Sequence, residues 1–465
     1  MTRRVVIVGA GISGLAAARA AVEASQRDGG EIEVVVLERD PAVGGKARTR
    51  RRDGWLVEGG PAGFLDDADT APTMQRLIAA AGMSADVITA SDAARRRFVV
   101  RRGRAREVRP NPLRLVTAGV LGPLGAARLL AEPFIRARTL ETDESVFDFA
   151  ARRIGRQAAE RLVAPMMLGI FAGDARRISL HGAFPRLAAL ERDHGSLVRG
   201  MLARGRRSGG GPAGPSGTMT SFREGMQSLA SGLAARGGFA VRPGTTVRAI
   251  APAERHGWLV HTWEHPDPLR ADAVVLAGEA WANADLLEPH APAAATALRT
   301  IDYPPVIAVS LGYGPETLPH FPQGFGCLIP RGEGIRSLGC VWDSCLFAAR
   351  APQGHVLVRV LLGGAVDPSI DALTDEEALA TSRADIARLF GAVARPILQE
   401  VVRWKRAIPQ YAVGHPRTVE TVTEALGHLP GMFLAGNALH GIAFAKAAAE
   451  GWRRGETAAR HTLST

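Results

Sequence analysis

The residue types able to do chemistry gather near the start of the chain. Gly9-Ala10-Gly11-Ile12-Ser13-Gly14 is a GxGxxG turn, and the acidic Glu38 lies downstream of it. Each glycine has a physical reason. Gly9 permits a tight turn, Gly11 lets a pyrophosphate approach the backbone, and Gly14 lets a helix sit close to a strand. The first N–H groups of a helix opening here point at the phosphates, with the helix dipole behind them. Glu38, at the carboxyl end of its strand, can accept both hydroxyls of an adenosine ribose. The same carboxylate repels a 2′-phosphate, which disfavours NADP. A second glycine pair follows in Val43-Gly44-Gly45-Lys46-Ala47-Arg48-Thr49. It lets the chain fold back over the same pyrophosphate, with Lys46 and Arg48 near the anionic groups. Beyond this unit no Ser/His/Asp triad, Walker loop, HExxH or paired-carboxylate site stands out. His415 and His440 lack a paired carboxylate or metal ligands, so they read as structural hydrogen-bonders.

The elements that must position these residues are visible in the same stretch. Val5 to Val8 reads as a short buried strand, Leu15 to Ala24 as an alanine-rich helix, and Val34 to Leu37 as a second parallel strand. Strand, glycine turn, helix, strand and acidic residue make the dinucleotide-binding unit. Ala273 to Gly278 is the strand that returns to that sheet, and Met432 to Asn437 is a buried strand ending in a polar turn. Val241 to Ile250 reads as one further strand. Arg95 to Arg104 has hairpin character, and Asp375 to Phe390 is a helix with acidic residues at its start, as the dipole favours. Val306 to Gly312, Gly326 to Pro330, Ser337 to Asp343 and Val356 to Gly364 look like strands of an antiparallel sheet. Between Pro110 and Phe149 the pattern is helical, apolar and edged with arginine, and Pro112, Pro123 and Pro133 break it into short pieces.

Composition bounds the class. A chain of 465 residues is too long for one simple core, so two or three domains are expected. Hydrophobic residues make up 46%, with no long uncharged apolar run, which argues against a transmembrane span. The first strand begins at once, so no signal or transit peptide is expected. Cys327, Cys340 and Cys345 form no CxxC pair and fit a reducing compartment, hence a cytoplasmic protein without a metal site. The net charge is +11, and of the 57 basic residues only Lys46, Lys405 and Lys446 are lysine. A basic surface favours anionic partners, such as carboxylated substrates or the acidic cytoplasmic face of a membrane; the short apolar helices either lie on such a surface, roof an apolar substrate cavity or pack as ordinary helical core. Nucleic acid is not expected, because aromatics are scarce and no nucleic-acid module appears.

From Glu38 to Thr49 the sequence resembles the flavin amine oxidase superfamily, in which FAD lies extended inside the protein. Further motifs appear in order: Leu168-Gly169-Ile170-Phe171-Ala172-Gly173-Asp174, then Ala183-Phe184-Pro185, then Leu190-Glu191 with Gly195-Ser196-Leu197. Ser221-Phe222 with Gly225-Met226, Gln323 to Pro330, and Ile408-Pro409-Gln410-Tyr411 with Gly414-His415 complete the series. Together they resemble the oxygen-dependent protoporphyrinogen oxidases from Val5 to Gly451. The resemblance implies an α/β fold: an FAD-binding Rossmann-like domain, a mixed-sheet α+β substrate domain and an inserted helical region. The expected division gives 1–85, 218–281 and 404–465 to the FAD domain and 86–110 and 282–403 to the substrate domain. Residues 111–200 form the helical region, and 204–217 a flexible loop.

The same resemblance implies oxidation of protoporphyrinogen IX, with hydride passing to FAD and molecular oxygen taking the electrons to give hydrogen peroxide. It assigns FAD contacts to Gly9, Ala10, Gly11, Ile12, Ser13, Gly14, Glu38, Arg39, Gly45 and Lys46. It adds Gly60, Pro61, Ala62 and Gly63 beside the flavin ring, Val247 at the adenine end, and Trp404, Gly436, Asn437, Ile442, Ala443 and Phe444. A helix running from Gly441 to Arg453 would point its first amides at the flavin. No cysteine lies near these segments, so the FAD is expected to be non-covalent. Arg97 is assigned to a porphyrin propionate, with Arg95 or Arg96 as the alternatives one or two positions away. Phe325, Leu328 and Leu361 are assigned to the apolar pocket, and Gly169 to a backbone contact with the tetrapyrrole. Ala438-Leu439 stands where amine oxidases place cage aromatics, which speaks against an amine substrate. Coproporphyrinogen III is the rival substrate. A phytoene-type desaturase and a silent FAD-binding protein are more distant readings, and a homodimer is allowed.

Overall fold

The computed structural model describes residues 3–109, 111–138, 142–208, 217–316, 321–391 and 394–465. Its centre is a five-stranded parallel sheet in the order Ala240–Arg242, Ile32–Leu37, Arg3–Val8, Ala273–Leu276, Met432–Leu434. Runs such as Val5-Val6-Ile7 and Val34-Val35-Val36 are apolar on both sides because helices cover both faces. Val5, Ile7 and Val36 pack with the helices Ile12–Arg27 and Phe444–Ser464, whereas Val6 and Val35 turn to Ala280–Leu287, Pro292–Arg299 and His415–Gly427. The alternation is that of a pleated strand.

A second sheet of seven strands is mixed. Its order is Leu398–Trp404, Val306–Tyr313, Val356–Gly363, Gly339–Val341, Gly326–Leu328, Arg97–Arg101, Arg104–Val108. All neighbours are antiparallel except Gly326–Leu328 and Arg97–Arg101, which pair in parallel with Cys327 opposite Phe98. The arginine hairpin therefore joins the sheet. Its two-residue turn is Arg102-Gly103, both at positive φ (52° and 70°), as a tight hairpin requires.

Between the hairpin and residue 208 the described residues form a set of short helices. Pro112 and Pro123 begin helices, and Pro133 sits in the first turn of a third short piece. The expectation that these prolines break helices is thus refined: each stands where a missing N–H costs nothing. Three further expectations are corrected. Val241 to Ile250 is two strands, Ala240–Arg242 in the parallel sheet and Val247–Pro252 in a small antiparallel one, because Gly244 turns the chain at φ +66°. The final helix starts at Phe444 but runs to Ser464, since no proline stops it. The helix beginning at Leu197 extends to Ser208, into the expected loop, whose residues 209–216 lie outside the described ones.

Candidate functional site

The glycine turn is built as its spacing demands. Gly9 has φ +107°, and a Cβ on Gly14 would fall 1.9 Å from Gly9 O. The second glycine pair lies against the first: Gly44 N donates to Ala10 O at 2.9 Å, Gly11 and Gly44 form a β-bridge, and a Cβ on Gly45 would lie 3.4 Å from Gly11 Cα. The helix Ile12–Arg27 has no side-chain cap and no acidic residue in its first turn. Ser13 Oγ in that turn is buried without a hydrogen-bond partner among the described residues. Uncapped amides beside an unused hydroxyl are a donor set suited to phosphate.

Glu38 follows the strand Ile32–Leu37 and is buried. Its Oε2 accepts from Ala10 N at 2.7 Å and its Oε1 from Asp40 N at 2.9 Å, which fixes the carboxylate and leaves lone pairs for ribose hydroxyls. Arg39 lies over the Trp281 ring at 5.4 Å. Lys46 Nζ pairs with the Glu279 carboxylate and sits over Tyr303, and burial lowers its pKa. Arg48 pairs with Asp40 and lies over Trp404 at 5.3 Å. Sequence reasoning missed Glu279, Trp281 and Tyr303, which become neighbours of the glycine loops only through the fold. Glu38→Ala is expected to lower the flavin content of the purified protein, checked by the ratio of visible to ultraviolet absorbance.

A second group of backbone-dominated residues continues the cleft. A Cβ on Gly60 would meet Lys46 O at 2.0 Å, and one on Gly63 would meet Thr220 O at 2.5 Å. Pro61 and Ala62 lie between them, and Ala62 O accepts from Ser221 Oγ at 2.8 Å. Trp404 Nε1 donates to Gly59 O at 2.6 Å. Gly436 has φ +101°, Asn437 O accepts from Tyr411 Oη at 2.7 Å, and Ile442 packs against the helical insert. Ala443 is the N-cap of the last helix, whose first turn lacks acidic residues, and Phe444 stacks on Phe64 with centroids 6.0 Å apart. Val247 opens its strand opposite Thr262.

The residues assigned to the tetrapyrrole meet in pairs. Arg97 Cζ lies over the Phe325 ring at 5.1 Å. A Cβ on Gly169 would reach Leu328 Cδ2 at 2.5 Å, so the two touch. Leu361 packs against the cluster that holds Leu168 and Ala172, as does Trp404. Arg95 pairs with Asp92 and Arg96 with Glu107, while Arg97 has no carboxylate partner among the described residues.

The family described as flavin containing amine oxidoreductase matches residues 12–461. The chain belongs to that family. Among curated relatives, the chloroplastic protoporphyrinogen oxidase of Nicotiana tabacum is 30% identical, covering 95% of this chain and 82% of its own length. Protoporphyrinogen oxidase 1 of Spinacia oleracea is 33% identical over 95% of this chain and 81% of its own length. The coproporphyrinogen III oxidase of Bacillus subtilis (strain 168) is 28% identical over 95% and 94%. A crystal structure from Exiguobacterium sp. 255-15 shares the fold with a TM-score of 0.84 at 23% identity, covering 100% of both chains.

As an oxidoreductase of this flavin family, the chain needs position and field from its residues rather than a nucleophile. The donor set at Gly9–Gly14, the fixed Glu38 and the second uncapped helix at Phe444 fit a flavin nucleotide. The IPQY motif has a structural explanation. Gln410 Nε2 donates to Phe171 O at 2.8 Å and to Ile408 O at 3.0 Å, tying the C-terminal segment to the insert beside Gly169. His415 Nε2 lies 2.9 Å from Leu439 O and its ring stacks on Tyr411 at 4.0 Å; burial lowers its pKa and keeps it neutral.

Sequence reasoning also missed a buried charge cluster of Glu58, Asp343, Arg350 and Arg359. Burial raises Glu58 to about 7 against the hydrogen bonds from Thr49 and Met226, and raises Asp343 against the pull of Arg359 and Arg350. The available signal was an arginine inside the otherwise apolar run Val356 to Gly363.

Proposed function

We propose that this flavin oxidoreductase binds FAD without a covalent bond and oxidises protoporphyrinogen IX to protoporphyrin IX, with molecular oxygen as final acceptor and hydrogen peroxide as by-product. The observation that carries the reading is the Arg97–Phe325 pair: an exposed guanidinium, without a carboxylate partner among the described residues, held over an aromatic face. A flat apolar ring bearing carboxylates needs that combination, and the names of the curated relatives point to the same substrate class. Bound FAD supplies the hydride acceptor and the route to oxygen. The chain supplies the rest. Gly9 to Gly14 and the first turn of Ile12–Arg27 hold the pyrophosphate, and Glu38 holds the ribose. Gly45, Gly60, Pro61, Ala62 and Gly63 bring backbone close to the cofactor. The amides opening Phe444–Ser464 stabilise negative charge on it. Arg97 orients a propionate, and Phe325, Leu328, Leu361 and Gly169 exclude water from the ring.

Purified protein should be yellow and should convert protoporphyrinogen IX aerobically with release of peroxide. Bound flavin without turnover of any porphyrinogen would leave a silent FAD-binding protein. Coproporphyrinogen III is the second reading, favoured by the Bacillus subtilis relative. Initial rates on both substrates separate the two. Arg97→Ala is expected to lower kcat/KM by ~1.5–3 kcal/mol, the loss of a hydrogen bond to a charged group, with normal flavin content. Equal kinetics at every substrate concentration would remove Arg97 from the site.

Among the described residues no helix is long and apolar enough to cross a membrane. The insert nevertheless exposes Leu113 (74%), Leu124 (87%), Leu130 (60%) and Phe134 (84%) beside the exposed Arg114 and Arg136. That surface fits peripheral attachment to an anionic bilayer on the cytoplasmic side.

A further inference from the structure

Glu58, Asp343, Arg350 and Arg359 lie sealed between the glycine loop at 59–63 and the mixed sheet, each at most 4% exposed. Removing four ionisable groups from water is costly, and here the compensation is partial. Arg359 Nη2 meets Asp343 Oδ1 at 3.2 Å, but Arg350 Nη2 lies 3.9 Å from Glu58 Oε1. Arg350 Nε and Nη1, Arg359 Nε and Asp343 Oδ2 have no hydrogen-bond partner among the described residues. Apolar side chains of similar volume would stabilise this contact at least as well. Stability alone therefore does not account for the cluster.

What Arg359 holds does account for it. Nη1 donates to Glu58 O at 3.0 Å and to Gly60 O at 2.5 Å, so the guanidinium grips the loop that runs on through Pro61, Ala62 and Gly63. Arg359 stands two residues before Leu361 on the strand Val356–Gly363, and alternation puts both on the same face. Leu361 packs there against a cluster that includes Leu168, Ala172 and Ala407, and Trp404 packs against the same cluster. Trp404 in turn donates to Gly59 O, the adjoining residue of the loop. One strand face thus carries both the clamp on the cofactor loop and part of the apolar wall.

We propose that Arg359 is a positioning residue: its planar fork fixes the Gly59–Gly63 loop to the strand bearing Leu361, so that the cofactor side and the substrate side keep one spacing. This rests on the flavin and porphyrinogen reading above. A guanidinium suits the task because two carbonyls and the Asp343 carboxylate are met by donors fixed in one plane; an ammonium presents a single point. Its positive charge behind the loop, offset in part by Asp343 at 3.2 Å, also favours negative charge on the cofactor side, which raises the midpoint potential.

The test uses the flavin-loaded protein with Arg359→Met, Arg359→Lys and Asp343→Asn. Arg359→Met is expected to shift the visible circular dichroism of the flavin, lower its midpoint potential, and reduce kcat by roughly 10- to 100-fold through misplacement, with KM changing far less. Arg359→Lys should restore the potential, a matter of charge, and leave kcat low, a matter of geometry. Arg359→Met that only melts earlier, with potential, dichroism and kcat as in the wild type, makes the residue purely structural and overturns the proposal. Should that variant fail to fold, Asp343→Asn decides: it leaves the guanidinium short of its carboxylate partner, and unchanged dichroism and kcat overturn the proposal equally. A wild type that takes up no flavin, or ignores porphyrinogens, fails the underlying reading before any variant is compared.

Discussion

Gly451→Ala is expected to yield protein that melts well below the wild type and carries little flavin. A Cβ at this position would fall 2.0 Å from Ser13 O and within 2.8 Å of Ser13 C and Cα. Gly455 repeats the arrangement one turn later against Ala17 O, also at 2.0 Å. These are backbone atoms, so no side-chain rotation relieves the contact, and the helices Ile12–Arg27 and Phe444–Ser464 must separate. Overpacking of this kind costs about 1–3 kcal/mol and more where the backbone cannot move. The location makes it functional as well as structural. Ser13 is in the first turn of the helix whose uncapped amides are proposed to hold the phosphate, and the opposing helix begins at Phe444 with the amides proposed for the flavin. Separating the two helices moves both donor sets at once. Thermal unfolding with and without added flavin, together with the flavin-to-protein ratio, measures the effect. Gly427→Ala is the control: a Cβ there meets nothing within 4 Å and the residue is helical. It should be neutral or stabilising by about 0.4–1 kcal/mol. Equal behaviour of the two variants would mean that the helices are not held at backbone contact.

The dinucleotide unit was legible because its parts are local. Gly9, Gly11, Gly14 and Glu38 fall within one strand–helix–strand passage; the backbone demands glycine at Gly9 and Gly14, while a Cβ on Gly11 would meet nothing within 4 Å, which leaves that position open to a ligand. The helix Asp375–Phe390 was equally plain: Asp375, Glu376 and Glu377 suit its positive end, and Thr374 and Glu377 close a capping box across it. What stayed hidden depends on distant segments. No periodicity tells that Gly451 lies on Ser13, or that Lys46 faces Glu279 across the sheet. Val241 to Ile250 read as one strand because a single Pro-Gly step is weak punctuation when β-formers such as Val241, Thr245, Thr246, Val247 and Ile250 stand on both sides of it. The parallel pairing of Gly326–Leu328 with Arg97–Arg101 is a long-range choice invisible to local pattern, yet it brings the Phe325 ring beneath Arg97. Glu58 and Arg359 looked like ordinary strand residues because single-residue rules place charges at surfaces.

Arg153→Met is expected to destabilise the helical insert by about 3–5 kcal/mol while sparing flavin binding. Arg153 is fully buried, and its guanidinium donates to Glu132, Glu191 at 3.3 Å, Ile135 O at 2.9 Å and Gly195 O at 3.2 Å. Glu132 also accepts from Ser196 Oγ at 2.7 Å, Leu197 N at 2.9 Å and Val198 N at 3.2 Å, so it caps the helix Leu197–Ser208. Burial alone would raise its pKa, but Ser196, Arg153 and the two amides outweigh burial and hold it below the ordinary carboxylate range. Without Arg153 both glutamates lose a buried counter-charge, and the pieces carrying Pro133, Val146–Ile154 and Pro185–His194 lose their common anchor. The Leu190-Glu191…Gly195-Ser196-Leu197 signature therefore wires the insert together rather than doing chemistry. Glu191 meets Arg152 and Arg153, Gly195 ends its helix in the left-handed region and lends its carbonyl, and Ser196 binds Glu132. Limited proteolysis should cut the variant within the insert while visible absorbance persists, because the parallel sheet has its own core. Porphyrinogen turnover should fall, since the insert carries Gly169 to Leu328. Combining Arg153→Met with Glu132→Gln should recover part of the loss, as a neutral pair replaces a broken ionic one. A single variant as resistant to protease as the wild type would show that the network adds nothing to the insert, and would return the signature to the site as a candidate for chemistry.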